Sequence, residues 1–356
     1  MLRDFRKSDR MNRNPALSVI LAARNEERSV KESVVSMLDQ DYSGMLEVIA
    51  VNDRSTDRTG EVLDELVRRH LGRLRVLNVE SLPEGWLGKT HALYIGAAEA
   101  TGEWLLFTDA DVIFSHDCSD KAVRYAIDNG LDHLTLPPEI LCNGILLRSF
   151  VTAFTLVFEM TQRPWRVSDP QAREHVGIGA FNLMKKVAYE KIGTHCAIRM
   201  RPDDMKLAKL LKRHGFRQGV AYGTGLISVE WHQTLPGAVR GLSKSMFSGL
   251  DYRIGATVAG VLMLFLTNLL PAFGLFSRST TGTLCRLNIF STFLVYAYRA
   301  KHVGDETPWW YAVLHPFGIG IFIYAMLRSA STTLVNGGIE WRETRYSLKD
   351  LKDNAI

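Results

Sequence analysis

The stretch "GEWLLFTDADV", residues 102–112, decides how this chain is read. An apolar run, Trp104 to Phe107, leads through Thr108 into two carboxylates, Asp109 and Asp111, parted by one alanine. The run has the composition of a buried strand, and a core does not hold unpaired negative charge. Either the carboxylates are solvated turn residues, or something positive sits with them.

Working outward, "LSVILAA" (17–23) reads as another buried strand, with a helical pattern over roughly Glu26 to Leu38 behind it. "MLEVIAVND" (45–53) is a further strand, and a helix from Asp57 places Val62, Leu63, Leu66 and Val67 on one face. "LRVLNV" (74–79) is followed by a helix over Thr90 to Ala100 and then by "EWLLFTD" (103–109). "DHLTLPP" (132–138) follows one more helix. Repeated strand–helix units of this length predict a mostly parallel, doubly wound α/β sheet. Ligands in such sheets bind beyond the carboxyl ends of the strands, where Asp53 and Asp109 both fall.

The chain of 356 residues is 46% hydrophobic and 23% charged, with a net charge of +5, but these averages hide an asymmetry. Most of the charge precedes residue 253, and from Ile254 to Phe276 there are 23 residues without a charged side chain. At ~1.5 Å per residue a helix of that length spans about 34 Å, enough for a bilayer's hydrocarbon core. A second run, Trp309 to Leu327, opens on Trp309-Trp310-Tyr311, a start suited to a membrane interface. A third, around Leu287 to Ala297, is shorter and follows Arg286. The competing reading is a buried helical hairpin; the length of the first run favours the membrane. The stretch from Glu139 to Trp165 contains Arg148 and Glu159, so spanning is not expected there, and a core helix and an interfacial amphipathic helix remain open.

The N-terminus has a basic start without an apolar region behind it, so no cleaved signal is expected and the first domain is expected to stay cytoplasmic. Cys118, Cys142, Cys196 and Cys285 are isolated, without metal or redox spacing. The basic residues form no aromatic-interleaved patch, which argues against nucleic acid. Those flanking the apolar runs (Arg240, Lys244, Arg253, Arg278, Arg286, Arg299, Lys301, Arg328) fit contact with anionic lipid head groups. "GWLGK" (85–89) lacks the P-loop spacing.

Taken singly, each acidic position has an ordinary reading. Asp53 in "NDRSTDRT" could cap the next helix, as Ser55 or Asp57 is expected to do. "DAD" could be a solvated turn, and Asp203-Asp204 could sit in a helix first turn after Pro202. The ordered set is more specific: "ARNEE", "VNDRSTDRT", "GWLGKTHAL", "FTDADV" and "DDMKLAKLLKRHG". In this order the chain, from about Ala16 to Leu348, resembles family 2 glycosyltransferases of GT-A fold. The likeness is to the membrane-attached branch with hopene-associated and carotenoid-type enzymes, in which "W-x-G-K" precedes "FTDADV" and an end like "GGIEWRETRY" follows the membrane helices.

The resemblance implies a nucleotide-sugar donor, expected to be UDP-linked, and a divalent metal, Mg²⁺ or Mn²⁺, held by Asp111 and Asp109, with Asp109 also near the ribose. It implies that Asp53 reads the base beside Ala23, Arg24, Asn25 and Glu26, and that Lys89 meets the base or a phosphate. It aligns Asp204 with the general base and Asp203 with its acidic neighbour, although "PDD" stands where many relatives have a glutamate first. "GIGAF" (177–181), around Gly179, is expected to let backbone approach the donor sugar. The Q-x-x-R-W motif of processive members is absent, which leaves Arg240 as a diphosphate contact and argues against a polysaccharide synthase. The organisation expected is a basic tail (1–16), a catalytic domain (17–235), an interfacial segment (236–253), a membrane region of two or three helices (254–330) and a tail (331–356). The expected reaction is inverting hexosyl transfer to a lipid acceptor at the membrane; the alternatives are transfer to a polyprenyl phosphate and a non-catalytic nucleotide-sugar-binding protein.

Overall fold

The computed structural model describes residues 14–199, 203–302, 307–341 and 344–353, so most of the basic tail lies outside the described residues, as do the side chains of Asp203 and Lys244. The chain divides into two units: residues up to Glu139 with Gln162–Glu230, and Ile140–Thr161 with the residues from Trp231 onward.

In the first unit the strands are β1 (Leu17–Ala23), β2 (Leu46–Asp53), β3 (Leu74–Val79), β4 (Trp104–Asp109), β5 (Val112–Phe114), β6 (His133–Thr135), β7 (Glu139–Ile140, at the boundary), β8 (Asn182–Lys185), β9 (Gln218–Val220) and β10 (Ile227–Val229). Seven of them form one sheet in the order β3-β2-β1-β4-β8-β6-β9. β1, β2, β3 and β4 are mutually parallel, as the strand–helix alternation predicts. Nearly every residue of β1 and β4 is buried, as a strand covered on both faces requires. β8 alone runs antiparallel to its neighbours, pairing Phe107 with Asn182 on one side and Thr135 with Asn182 on the other. That reversal has a positional effect. Residues just before β8 emerge at the same edge as the end of β4, so the loop 177–181 reaches Asp109.

The helices of this unit are α1 (Val30–Leu38), α2 (Thr59–Arg69), α3 (Gly88–Glu99) and α4 (Cys118–Asp128), with α6 (Lys186–Lys191) and α7 (Asp203–Arg213) following α5 (Ile145–Gln162) of the second unit. α1 buries Val30, Val34, Met37 and Leu38, the spacing of one helical face. α3 and α7 share a core with the sheet in which Ala92, Leu93, Leu207 and Leu211 meet Ile20, Val51 and Phe107. Gly96 permits the close approach of α3: a Cβ there would stand 2.6 Å from Ile20 Cγ2. Just before α2, Asp57 accepts from Thr59 N at 3.0 Å, and Ser55 accepts from Asn25 N.

The second unit is helical: α5 (Ile145–Gln162), α8 (Leu235–Gly249), α9 (Ile254–Leu264), α10 (Leu270–Gly274), α11 (Thr280–His302) and α12 (His315–Val335). α5, α8, α9 and α12 share an apolar core that includes Phe150, Ala238, Leu264 and Phe322. Gly318 lets α12 cross α5 closely, since a Cβ there would meet Ala153 Cβ at 2.7 Å and Ser149 O at 2.8 Å. A single π turn, Phe265–Leu269, joins α9 to α10 and carries Asn268, whose Oδ1 lies 3.0 Å from His315 Nε2; His315 Nδ1 meets Tyr296 Oη at 3.1 Å. Val258, Leu262 and Phe273 on the first helix pair, and Leu284, Leu287 and Phe290 on α11, stay exposed.

Among the described residues three helices are long and apolar enough to cross a membrane, by length and composition: Ile145–Arg166, Ile254–Gly274 and Trp309–Val335. Two match the runs read from the sequence. The third is the stretch in which Arg148 and Glu159 argued against a span; Glu159 is ion-paired with Arg299 of α11. The short run around Leu287 belongs to α11 and is not among the three.

Candidate active site

The carboxyl edge of the parallel strands gathers most of the predicted site residues. Ala23 ends β1 and is fully buried, Asp53 ends β2, and Asp109 ends β4 in register with Ala22 of β1. Asn25 takes a left-handed backbone conformation, φ 57°, one that asparagine tolerates better than most residues. This turns the loop after β1 against the loop after β2. Asn25 Oδ1 accepts from Thr56 N at 2.8 Å, Glu26 N donates to Thr59 Oγ1 at 2.8 Å, and Glu27 N donates to Asp57 at 3.1 Å.

Asp53 is 3% exposed. A buried carboxylate needs partners, and Arg54 supplies a two-point contact, Nε to Oδ1 at 2.7 Å and Nη2 to Oδ2 at 3.1 Å, with Arg24 Nη1 at 4.0 Å. Gly88, the first residue of α3, closes this corner: a Cβ there would stand 2.3 Å from Asp53 Oδ2 and 2.8 Å from Arg54 Nη2. Arg54 was missed by sequence reasoning. Its signal was local, a cation directly after the buried aspartate and itself at φ 55°.

The two carboxylates of "FTDADV" have different surroundings. Asp109 has a positive partner in Lys89, whose Nζ lies 2.6 Å from Oδ1. Gly179 lies over this pair: a Cβ there would be 3.0 Å from both Asp109 Oδ2 and Lys89 Nζ. Thr108 Oγ1 holds the loop by donating to Ala180 O at 2.8 Å. Asp111 sits between β4 and β5, where the chain leaves the main sheet. Its pKa is pushed up to about 6, by burial first and then by the negative charges of Asp109 and Glu26. Among the described residues no three His, Cys, Asp or Glu side chains form a metal-binding group by themselves.

The start of α3, which carries Lys89, packs against the turn His195–Ile198 and the residue after it. Leu87 N donates to Arg199 O at 3.0 Å, and the Arg199 guanidinium lies 5.1 Å from the centre of the Trp86 ring. Trp86 also packs on Tyr94 at 5.3 Å. His195 is fully buried against Phe107, and burial followed by the charge of Lys89 pushes its pKa down to about 3. Arg199 and His195 gave no signal in sequence, because each acts more than a hundred residues from Lys89.

Asp204 lies in the first turn of α7, its Oδ1 accepting from Met205 N at 2.9 Å. The loop that carries Gly179 also touches this turn. A Cβ on Gly177 would fall 2.1 Å from the Asp204 carbonyl oxygen, and Gly177 N meets Met205 Sδ at 3.5 Å. Two residues of extended backbone, at most ~7 Å, therefore separate contact with the Lys89–Asp109 pair from contact with the Asp204 turn. Arg240 is exposed on α8 of the second unit; His232, also of that unit, packs on Gly241, where a Cβ would stand 2.4 Å from its Nε2.

Residues 18–193 match the family described as Glycosyl transferase family 2. They are a family 2 glycosyltransferase domain. The chain is 24% identical to the 4,4'-diaponeurosporenoate glycosyltransferase of Staphylococcus aureus strain MRSA252, covering 94% of this chain and 88% of that one. The same enzyme from strain bovine RF122 / ET3-1 matches at the same identity and coverage. Among solved structures, the chain resembles the mannosyltransferase PcManGT of Pyrobaculum calidifontis, determined in complex with GDP-Man and Mn²⁺, with a TM-score of 0.54 and 16% identity over 90% of this chain and 87% of that one. That likeness concerns the fold, which is the GT-A-type sheet expected from the sequence. The chain is a glycosyltransferase.

Proposed function

We propose that this glycosyltransferase moves a sugar from a nucleotide-sugar donor, UDP-linked, to a lipid acceptor at a membrane, with inversion at the anomeric carbon and with a divalent metal. The observation that carries the reading is the joint placement of Lys89, Asp109 and Gly179, linked through Gly177 to the first turn of α7. Asp53, Arg54 and the loop Ala23–Glu26 form the wall that receives the nucleoside. Asp111 and Asp109 are the carboxylates toward Mg²⁺ or Mn²⁺; the raised pKa of Asp111 supports this, because a buried carboxyl beside two negative charges gains from an added cation. Such a cation, when bound, neutralises charge on the departing diphosphate.

Asp204 takes the proton of the acceptor hydroxyl as that oxygen attacks the anomeric carbon, and Asp203 precedes it in the same turn. A single displacement inverts the centre. The three apolar helices and the relatives named for 4,4'-diaponeurosporenoate support a lipid acceptor and a membrane-attached enzyme; the catalytic unit is assigned to the cytoplasmic side. Exposed Arg240, close after the catalytic domain, is the candidate for a further diphosphate contact.

The test uses purified protein in detergent with membrane lipid extract and a panel of nucleotide sugars. Nucleoside diphosphate release is followed with Mn²⁺ or Mg²⁺ and then with EDTA, for the wild type and Asp204→Asn. Release that requires lipid, metal and Asp204 is expected, and it names the donor. Release that survives EDTA and Asp204→Asn refutes the assignment of both groups. An acid-labile lipid-phosphate product would move the acceptor class to polyprenyl phosphates.

A further inference from the structure

Asp109 and Asp111 are separated by one residue, yet among the described residues the ion pair falls on Asp109, with Lys89 Nζ at 2.6 Å. The pair is not sealed in the core: the two side chains are 33% and 39% exposed. Ion pairs that open to water are weak, so this one can be exchanged for a stronger partner at little cost. Gly179 keeps side-chain atoms off the pair, since any side chain there would meet both Asp109 and Lys89. The backbone that carries Lys89 is fixed by the Leu87–Arg199 hydrogen bond and by the packing of Trp86 against Arg199 and Tyr94. The lysine reaches Asp109 from that fixed base on a four-carbon stem, long enough for its ammonium to take more than one position.

We infer that Lys89 is an exchangeable cation for Asp109: with the donor absent its ammonium neutralises the carboxylate, and arrival of the metal–nucleotide complex displaces it onto the diphosphate. This rests on the metal-dependent reading above and adds to it a competition and a movement. The lysine opposes metal binding when the ion comes alone and assists when the ion comes with a diphosphate. Two positive charges cannot share Asp109 without repulsion, while a diphosphate places negative charge within reach of both. One side chain thus couples metal occupancy to donor occupancy, which disfavours an empty metal-loaded site.

The experiment titrates full-length protein in detergent with Mn²⁺, following loss of the free-ion electron paramagnetic resonance signal, first alone and then with UDP and with GDP present. Wild type, Lys89→Met and Lys89→Arg are compared, with thermal midpoints to establish folding. Lys89→Met is expected to bind Mn²⁺ alone about tenfold more tightly than wild type and the Mn²⁺–nucleotide complex about tenfold more weakly. Lys89→Arg is expected to follow the wild type in sign. The opposite directions are diagnostic, because a variant that merely disturbs the fold weakens both. Unchanged or weaker binding of Mn²⁺ alone by a folded Lys89→Met overturns the exchange. If wild type binds no Mn²⁺ under either condition, the metal-dependent reading falls as well.

Discussion

Gly177→Ala tests whether the loop before β8 sets the position of α7. The added methyl would lie 2.1 Å from the Asp204 carbonyl oxygen and 2.5 Å from its carbonyl carbon. An ordinary carbon–oxygen contact needs about 3.3 Å, so the loop and the helix start have to part by roughly 1.2 Å. Neither neighbour is a flexible side-chain tip, and the loop is held at Ala180 by Thr108. The first turn of α7 therefore moves, and Asp204 with it. Misplacement of a reacting group by about 1 Å costs on the order of 10²-fold in rate. The expected result is a fall of about 10²-fold in kcat, about 2.7 kcal/mol in the barrier. Nucleotide affinity should change by less than about threefold, because the Asp53 corner lies on other loops. Stability should fall by about 1–3 kcal/mol, the usual range for overpacking. Steady-state diphosphate release and nucleotide titration separate the two effects. A kcat within about threefold of wild type, in a variant with the wild-type fold, would refute the link from Gly177 through Asp204 to catalysis.

Gly88→Val should act on the nucleoside side instead: its Cβ meets Asp53 Oδ2 at 2.3 Å, so the Asp53–Arg54 pair has to shift, and nucleotide affinity measured by calorimetry should fall at least tenfold whether or not metal is present. Replacing Arg299 by Leu removes the ion-pair partner of Glu159, and loss of one partner of a buried ion pair costs about 3–5 kcal/mol; the double variant Glu159→Gln, Arg299→Leu should recover much of that in detergent unfolding curves. His133 and His195 are fully buried, and burial lowers their pKa values to about 4 and about 3. The unfolded chain therefore binds protons first. Their stabilising contribution is complete above about pH 6.5 and is lost as pH falls toward 4, with a slope of about 1.4 kcal/mol per unit for each histidine. A midpoint that stays flat from pH 7 to 5 would contradict this.

Periodicity read the first four strands and their helices to within a few residues, because each strand is buried along its whole length and each helix buries one face. The same burial pattern makes the placement of Asp53 and Asp109 at the carboxyl edge legible in sequence. The direction of β8 was not legible: four residues, Asn182–Lys185, carry no pattern that distinguishes parallel from antiparallel pairing. The partner of Asp109 was also hidden, because the Lys89 contact depends on how α3 lies across the sheet. Gly96 and Gly88 set that approach, and a glycine in sequence does not announce which neighbour needs the space. For α5, its two charges argued against a span in sequence, while the pairing of Glu159 with Arg299 became visible only when α11 was placed beside it.

The reversed strand also imposes an order on synthesis. The four parallel strands are complete once Asp109 has been made, but β4 waits for its neighbour until Asn182–Lys185 appear, roughly 75 residues later, or ~4–15 s at ordinary elongation rates. During that interval the open edge of β4 is exposed to unwanted strand pairing. α5, one of the three helices apolar enough for a bilayer, leaves the ribosome in the same interval. The nascent chain thus offers its first lipid-compatible segment while the sheet is still unfinished.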